Sequence, residues 1–165
     1  MTLSEIKKAC IGVMKTKYPT STYKYYSNAV VEKYERPCFF TELNIDQSEP
    51  ASSGADHFLA TFSIEVLQDV VDEAKALEIA STLKKAFGRY VMIKQIGEPD
   101  RAVKVKSFES EFSGTEDNIP IISVTLEWYG SVLETETADK METVGLNLKV
   151  KMETEEYIDE WNAQH

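Results

Sequence analysis

The sequence has few of the histidines and cysteines from which many catalytic and metal sites are built. It has two histidines and two cysteines in 165 residues, and no Cys-x-x-Cys pair that would indicate zinc. Its seven glycines form no phosphate-cradling motif, and its serines form no nucleophile elbow. We therefore expect a protein that is not an enzyme and that uses no metal and no cofactor.

Long hydrophobic runs and an excess of positive charge are also missing. Because the N-terminus has no long apolar stretch, we expect no signal peptide, no membrane partner and folding in a cytoplasm. The formal net charge is -10 and the pI is about 4.7. Since an acidic surface repels phosphates, sequence-specific nucleic-acid binding is not expected, although DNA could pass nearby without being held.

The two cysteines lie in different patterns, Cys10 in a helical stripe and Cys38 in a strand. We expect two small buried thiols in a reducing compartment, and the sequence leaves a disulfide open as the alternative.

The chain is organised around two alternating segments, residues 37–46 and 58–67. Apolar side chains at every second position predict a half-buried antiparallel pair of strands. The connection over residues 47–54 is polar and contains Pro50 and Gly54, which predicts a long turn.

Two amphipathic helices are predicted over residues 2–17 and 69–87. Thr2 and Glu5 have the spacing of a capping box, and Gly88 follows the second helix as expected for a C-terminal cap. The predicted buried stripe of the second helix is Val70, Ala74, Leu77, Ala80 or Ser81, Leu83 and Phe87.

Four further strands are predicted, over residues 22–26, 89–96, 102–112 and 121–133. The tyrosine-rich first of these is expected at a sheet edge with its rings covering the sheet, or else as a contact surface. In the third, the parity of the apolar residues changes, which predicts a bulge near Ser107. The fold class is therefore α+β: a mixed, mainly antiparallel β-sheet with two helices packed on it, plus an acidic C-terminal extension.

We expect one domain over residues 1–133 and an extension over residues 134–165. The extension holds nine acids and three lysines but keeps Tyr157 and Trp161. Such a composition favours a segment that docks on its own or a neighbouring subunit over pure disorder.

Two groups of residues could still hide chemistry. Glu109 and Glu111 share a strand face near Glu127, and His57 follows Asp56. Paired carboxylates can act as acid and base or bind a metal, and His57 could act as a base. Solvated acids and an exposed loop histidine are the favoured interpretation.

The order of these elements resembles the tail terminator (tail completion) proteins of long-tailed phages and phage-like elements. The resemblance covers roughly residues 1–133. It is carried by Leu-Ser-Glu-Ile at residues 3–6, Glu-Arg-Pro-Cys-Phe-Phe at residues 35–40, the strand Phe-Leu-Ala-Thr-Phe-Ser-Ile-Glu-Val at residues 58–66 and the helix at residues 74–87.

The resemblance implies a structural subunit that closes into a ring, typically a hexamer. The ring would cap the head-proximal end of the tail tube, stop tube polymerisation and join the tail to the neck. The implied partners are further copies of the chain, the tail tube protein and a neck or head-completion protein, with DNA passing through the lumen. The implied location is the virion tail, assembled in the bacterial cytoplasm.

Exposure and loop position suggest a set of subunit-interface residues: Gln47, Glu49, Asp56, His57, Glu116, Asp117, Tyr157 and Trp161. Two other functions stay open. One is a tail tube or head–tail connector subunit, and the other is a cytoplasmic acidic protein-binding module.

Overall fold

The computed structural model describes residues 1–27, 34–70, 72–94, 99–113 and 119–131. These residues form two helices and six strands, and the expected α+β class is confirmed. The elements are α1 (Leu3–Lys15), β1 (Lys24–Ser27), β2 (Cys38–Ser52), β3 (Ala55–Leu67), α2 (Glu73–Phe87), β4 (Tyr90–Ile93), β5 (Arg101–Ser113) and β6 (Ile119–Ser131). The predicted extension, residues 134–165, lies outside the described residues.

The six strands form one sheet in the order β1-β2-β3-β6-β5-β4. Strand β1 runs parallel to β2, and all other neighbours are antiparallel. Strands β3 and β6 lie at the centre, where each has a partner on both sides.

Both helices pack on one face of the sheet and close a single core there. Alternate side chains of the central strands point into this core because the strand period is two residues. The largest fully buried side chains include Phe39, Phe62, Ile64, Ile122 and Leu126 from the sheet, Ile6 and Met14 from α1, and Leu83 and Phe87 from α2.

The start of α1 has the predicted capping box. The backbone N–H of Thr2 donates to the Glu5 carboxylate at 2.7 Å, and the N–H of Glu5 donates to the Thr2 hydroxyl at 3.3 Å. These bonds satisfy two of the backbone donors that a helix leaves unpaired at its N-terminus.

Helix α2 begins four residues later than predicted, because Asp72 caps it. The Asp72 carboxylate accepts from the backbone N–H groups of Ala74 and Lys75. The buried side chain of Gln68 holds Asp72 in place, accepting from its N–H at 3.1 Å. Gly88 ends the helix at φ 59°, which a glycine adopts without strain.

The predicted buried stripe of α2 was partly wrong. Leu83 and Phe87 are buried, but Val70 and Leu77 are 78% and 52% exposed. The buried face is instead Ala76, Ile79, Ala80, Leu83 and Phe87. Because Val70 precedes the cap, the first half of the predicted stripe was misplaced, whereas Ala80, Leu83 and Phe87 were predicted correctly.

The long turn predicted over residues 47–54 is also wrong. Strand β2 continues to Ser52 and β3 begins at Ala55, so only Ser53 and Gly54 connect them. We call residues 47–57 the hairpin arm. The register of β2 against β3 shifts twice here, between Ile45 and Gln47 at the base of the arm and between Pro50 and Ser52 near its tip.

Strands β5 and β6 agree closely with the sequence prediction. The register of β5 shifts between Val105 and Ser107, which confirms the predicted bulge. On β6, Ile122, Val124, Leu126 and Trp128 are buried, as the alternation predicted.

The tyrosines of the first strand cover the sheet edge, as expected. The rings of Tyr18, Tyr23 and Tyr25 surround Phe39 with centroid distances of 5.5, 4.9 and 5.4 Å.

Cys10 and Cys38 are free and buried, and burial raises the pKa of these thiols to about 12 and about 11. Both thiols therefore stay protonated at neutral pH.

The two leucines of α2 give a direct test of the corrected stripe. Leu83→Ala should lower the free energy of unfolding by about 2–5 kcal/mol, because it opens a cavity among fully buried side chains. Leu77→Ala serves as the matched control and should change it by less than about 0.5 kcal/mol, since Leu77 is half exposed. Urea unfolding followed by circular dichroism measures both, and equal losses would contradict the observed stripe.

Candidate assembly surface

The sheet face away from the helices has no covering layer among the described residues. Its side chains alternate with the buried ones along each strand and are mostly small and polar in the middle. Thr61 lies opposite Thr125, and Ser63 lies opposite Ser123. The Ser107 hydroxyl donates to Thr125 at 2.9 Å. We call this surface the open face.

A charged cluster lies on the open face near the base of the hairpin arm. The Glu127 carboxylate accepts from Lys104 Nζ at 2.7 Å and lies 2.9 Å from His57 Nε2. The His57 ring packs 5.0 Å from the ring of Tyr129. His57 was expected in an exposed loop, and this expectation is wrong: it lies on β3, and its side chain is only 20% exposed.

Hydrogen bonds within this cluster stabilise the charged forms of Glu127 and Lys104. The hydrogen bond from Lys104, followed by that from His57, lowers the pKa of Glu127 below its ordinary value. The same carboxylate raises the pKa of Lys104. Because Lys104, Glu127 and His57 come from β5, β6 and β3, the cluster joins three adjacent strands.

The other acids considered for chemistry do not join this cluster. Glu127 lies opposite Lys104, whereas Glu109 and Glu111 lie opposite Ser123 and Ile121, several residues further along the strands. Within the described ranges, no group of three or more His, Cys, Asp and Glu side chains could hold a metal ion. Of the residues considered for chemistry, the open face thus brings Glu127 and His57 together, with Lys104 beside them, and leaves Glu109 and Glu111 apart.

A cleft of about 420 Å³ opens where β5 and β6 separate. Their pairing begins at Lys104 and Glu127, and the preceding residues of β5 pair with β4 instead. The cleft is lined by Met1, Arg101, Ala102, Lys104, Glu127, Trp128 and Tyr129.

The hairpin arm is anchored to the domain by stacked aromatic rings. Phe58 and Trp128 lie 5.4 Å apart with an interplanar angle of 11°. Gly130 lies beside them, and a side chain there would meet the Phe58 ring at 3.0 Å. The stack and the close approach to Gly130 continue the packed layer of the sheet to the base of the arm.

Half of the predicted interface residues come together on the arm. Gln47 and Glu49 are exposed on β2, Asp56 and His57 lie on β3, and Glu49 is paired directly with His57. Glu116, Asp117, Tyr157 and Trp161 lie outside the described residues.

Sequence reasoning missed Lys104, Arg101 and Tyr129 as members of this surface. Alternation along β6 does put Glu127 and Tyr129 on the solvent side, so part of the signal was present. Which strand lies beside β6, and in which register, cannot be read from β6 alone. The partnership of Glu127 with Lys104 follows from that register.

None of the helices in the described ranges is long and apolar enough to cross a membrane.

Comparison with known proteins identifies the family. A family model described as "Phage tail terminator protein" matches residues 5–142, which is most of the chain. The chain therefore belongs to the phage tail terminator family, has a structural role in the phage tail and associates with tail components.

No curated protein matches the chain. A solved structure matches with a TM-score of 0.49 and 16% sequence identity, covering 81% of this chain and 97% of the other.

The Glu127 cluster predicts a pH-dependent contribution to stability. Because the pKa of Glu127 is lowered by folding, its contribution is present above the ordinary value of 4.5 and is lost as the pH falls through the lowered value. Glu127→Gln should therefore melt at a lower temperature than the unchanged protein at pH 7, and the difference should shrink at pH 3. Differential scanning calorimetry across this range measures it.

Glu65→Gln is the matched control, since Glu65 lies exposed on β3 and forms no ion pair with the described residues. A difference for Glu127→Gln that is the same at pH 7 and pH 3 would contradict the assigned role of the carboxylate.

Proposed function

We propose that the protein closes into a ring, a hexamer, that caps the head-proximal end of the tail tube. In this role it stops tube polymerisation and joins the tail to the neck. Its partners are the other copies of the chain, the tail tube protein and a neck or head-completion protein. The observation that carries the proposal is the family match over residues 5–142.

The surfaces described above suit this role. A ring needs heterologous contacts, in which one side of each subunit meets a different side of the next. The hairpin arm extends from one side of the sheet and carries Gln47, Glu49, Asp56 and His57, which we propose as interface residues. We propose the same role for Glu116, Asp117, Tyr157 and Trp161, the last two in an extension over residues 134–165 that follows a domain of residues 1–133.

The charge of the chain is also compatible with a conduit for DNA. A lumen that DNA passes through should not hold phosphates, and the net charge of -10 disfavours such binding. In the proposed role the chain performs no catalysis, is assembled in the bacterial cytoplasm and resides in the virion tail.

The proposal predicts a closed assembly of fixed size. Light scattering on a size-exclusion column should give a mass near six times 18.7 kDa, about 112 kDa, that does not grow with concentration. Added to polymerising tube protein from the same phage, the ring should bind one tube end and stop elongation, as seen by electron microscopy. Light scattering thus tests ring closure, and the elongation assay separately tests terminator function.

Albumin of equal concentration is the control for the elongation assay. Open-ended growth of the protein itself would indicate a tube subunit. A monomer at all concentrations that also leaves tube elongation unchanged would contradict the proposal and favour an acidic binding module.

A further inference from the structure

Besides the outer side of the short strand β1, two further strand edges of the sheet lack a partner strand among the described residues. Strand β1 covers β2 only at Cys38–Thr41, so the rest of β2, including its half of the hairpin arm, has one uncovered side. At the opposite border of the sheet, β4 is the last strand. An uncovered strand presents backbone donors and acceptors that can bind another chain.

These two edges lie at the same level of the sheet. Following the register from strand to strand, Tyr90 on β4 lies opposite Lys104, Lys104 opposite Glu127, Glu127 opposite Leu59, and Leu59 opposite Gln47. β4 is therefore level with the base of the hairpin arm, on the other side of the sheet.

The two edges carry opposite charge. Residues 42–57 contain four acids and no Lys or Arg; Glu49 and Asp56 lie on the hairpin arm, and Glu42 and Asp46 precede it on β2. Residues 89–106 contain two acids and five cations, the cations being Arg89, Lys94, Arg101, Lys104 and Lys106. In a chain with 28 acids and 18 cations, this basic edge is a local reversal of the overall charge.

Exposed apolar side chains accompany the charges on both edges. Ile45 on β2 is 46% exposed, and Tyr90 and Met92 on β4 are 58% and 53% exposed. A pairing of the two edges would remove these apolar surfaces from water, which favours association.

The two edges of one subunit cannot reach each other. Three strands lie between β2 and β4, so four strand spacings of about 4.8 Å keep them roughly 19 Å apart. The charges on an edge also protect it from indiscriminate pairing, so the partner has to carry the opposite charge. Pro50 has no backbone N–H, so backbone hydrogen bonds to a neighbouring strand cannot be continuous near the tip of the arm. At this point the side-chain charges contribute to the attraction between the two edges instead.

We propose that the acidic hairpin arm of one copy docks on the basic β4–β5 edge of the next copy. The two docking elements are the arm, residues 47–57, and the edge formed by β4 with Lys94 and Arg101. Because they lie at one level on opposite sides of the sheet, rotation about an axis roughly parallel to the strands brings each arm to the next edge. This inference rests on the ring proposed above and names the contact that builds it.

Charge reversal on each element gives the test. The arm variant is Glu49→Lys with Asp56→Lys, and the edge variant is Lys94→Glu with Arg101→Glu. Neither set includes a member of the Lys104–Glu127–His57 cluster, and Lys94 and Arg101 form no ion pair with described residues. The control variant, Glu73→Lys with Glu78→Lys, makes the same charge change as the arm variant, but on the exposed side of α2.

Each reversed variant alone should self-associate about tenfold more weakly, or worse, because it brings like charges together across the contact. A mixture of equal amounts should recover association, since the basic arm of one variant then meets the acidic edge of the other. Sedimentation velocity on the full-length proteins, at low salt to limit screening, measures this. Circular dichroism checks that each variant is folded, and the control should behave as the unchanged protein.

Recovery on mixing supports the inference, because only a head-to-tail contact between these elements produces it. Normal assembly of either variant alone overturns it, as does weak assembly that mixing fails to restore. Weak assembly that mixing fails to restore would arise if the basic edge instead bound the acidic residues 134–165. Absence of association in both the unchanged protein and the mixture also overturns it.

Failure of this contact and failure of the proposed function are distinguishable. If both variants still form rings that stop tube elongation, the contact is wrong and the ring function stands. If mixing restores association but no assembly stops tube elongation, the contact stands and the terminator function fails.

Discussion

The double pairing of β3, with β2 on one side and β6 on the other, is the constraint on which the rest of the structure depends. Burial of Phe62 and Ile64 between the sheet and the helices fixes which face of β3 points inward. A slip of one residue would move Thr61 and Ser63 into the core and both large side chains into water. The register is therefore specified strongly at the centre, and it is transmitted outward to every other strand by backbone hydrogen bonds.

The hairpin arm shows how far this transmission reaches. Its residues bury little apolar surface, yet the pairing of β3 with β6 runs from Glu65 to the last pair, Ala55 and Ser131. The stack of Phe58 on Trp128 and the small residue at Gly130 continue the packed layer to the base of the arm. Backbone pairing thus fixes the position of the arm's polar and charged side chains along the sheet, although these side chains are not buried.

This dependence explains what the sequence predicted and what it did not. The helices, the alternating strands and the bulge near Ser107 follow from local periodicity, and each was predicted. The arm was not, because Pro50, Gly54 and the serines are typical of a loop, and only the neighbouring β6 makes the segment a strand. The same holds for the site: the exposure of Gln47 and Glu49 was predictable, whereas the link between Glu127 and Lys104 required a register that no single strand contains.

The distribution of charge resolves an apparent conflict between an acidic chain and self-association. Copies with a net charge of -10 repel one another at long range, so most mutual orientations are unfavourable. A basic edge that is level with an acidic arm makes one orientation attractive, and the general repulsion then disfavours the others. In the proposed ring each arm contacts the basic edge of one neighbouring copy, so no arm and no edge is left without a partner when the ring closes. Repulsion thereby contributes specificity, and the same acidity keeps the surface from holding DNA.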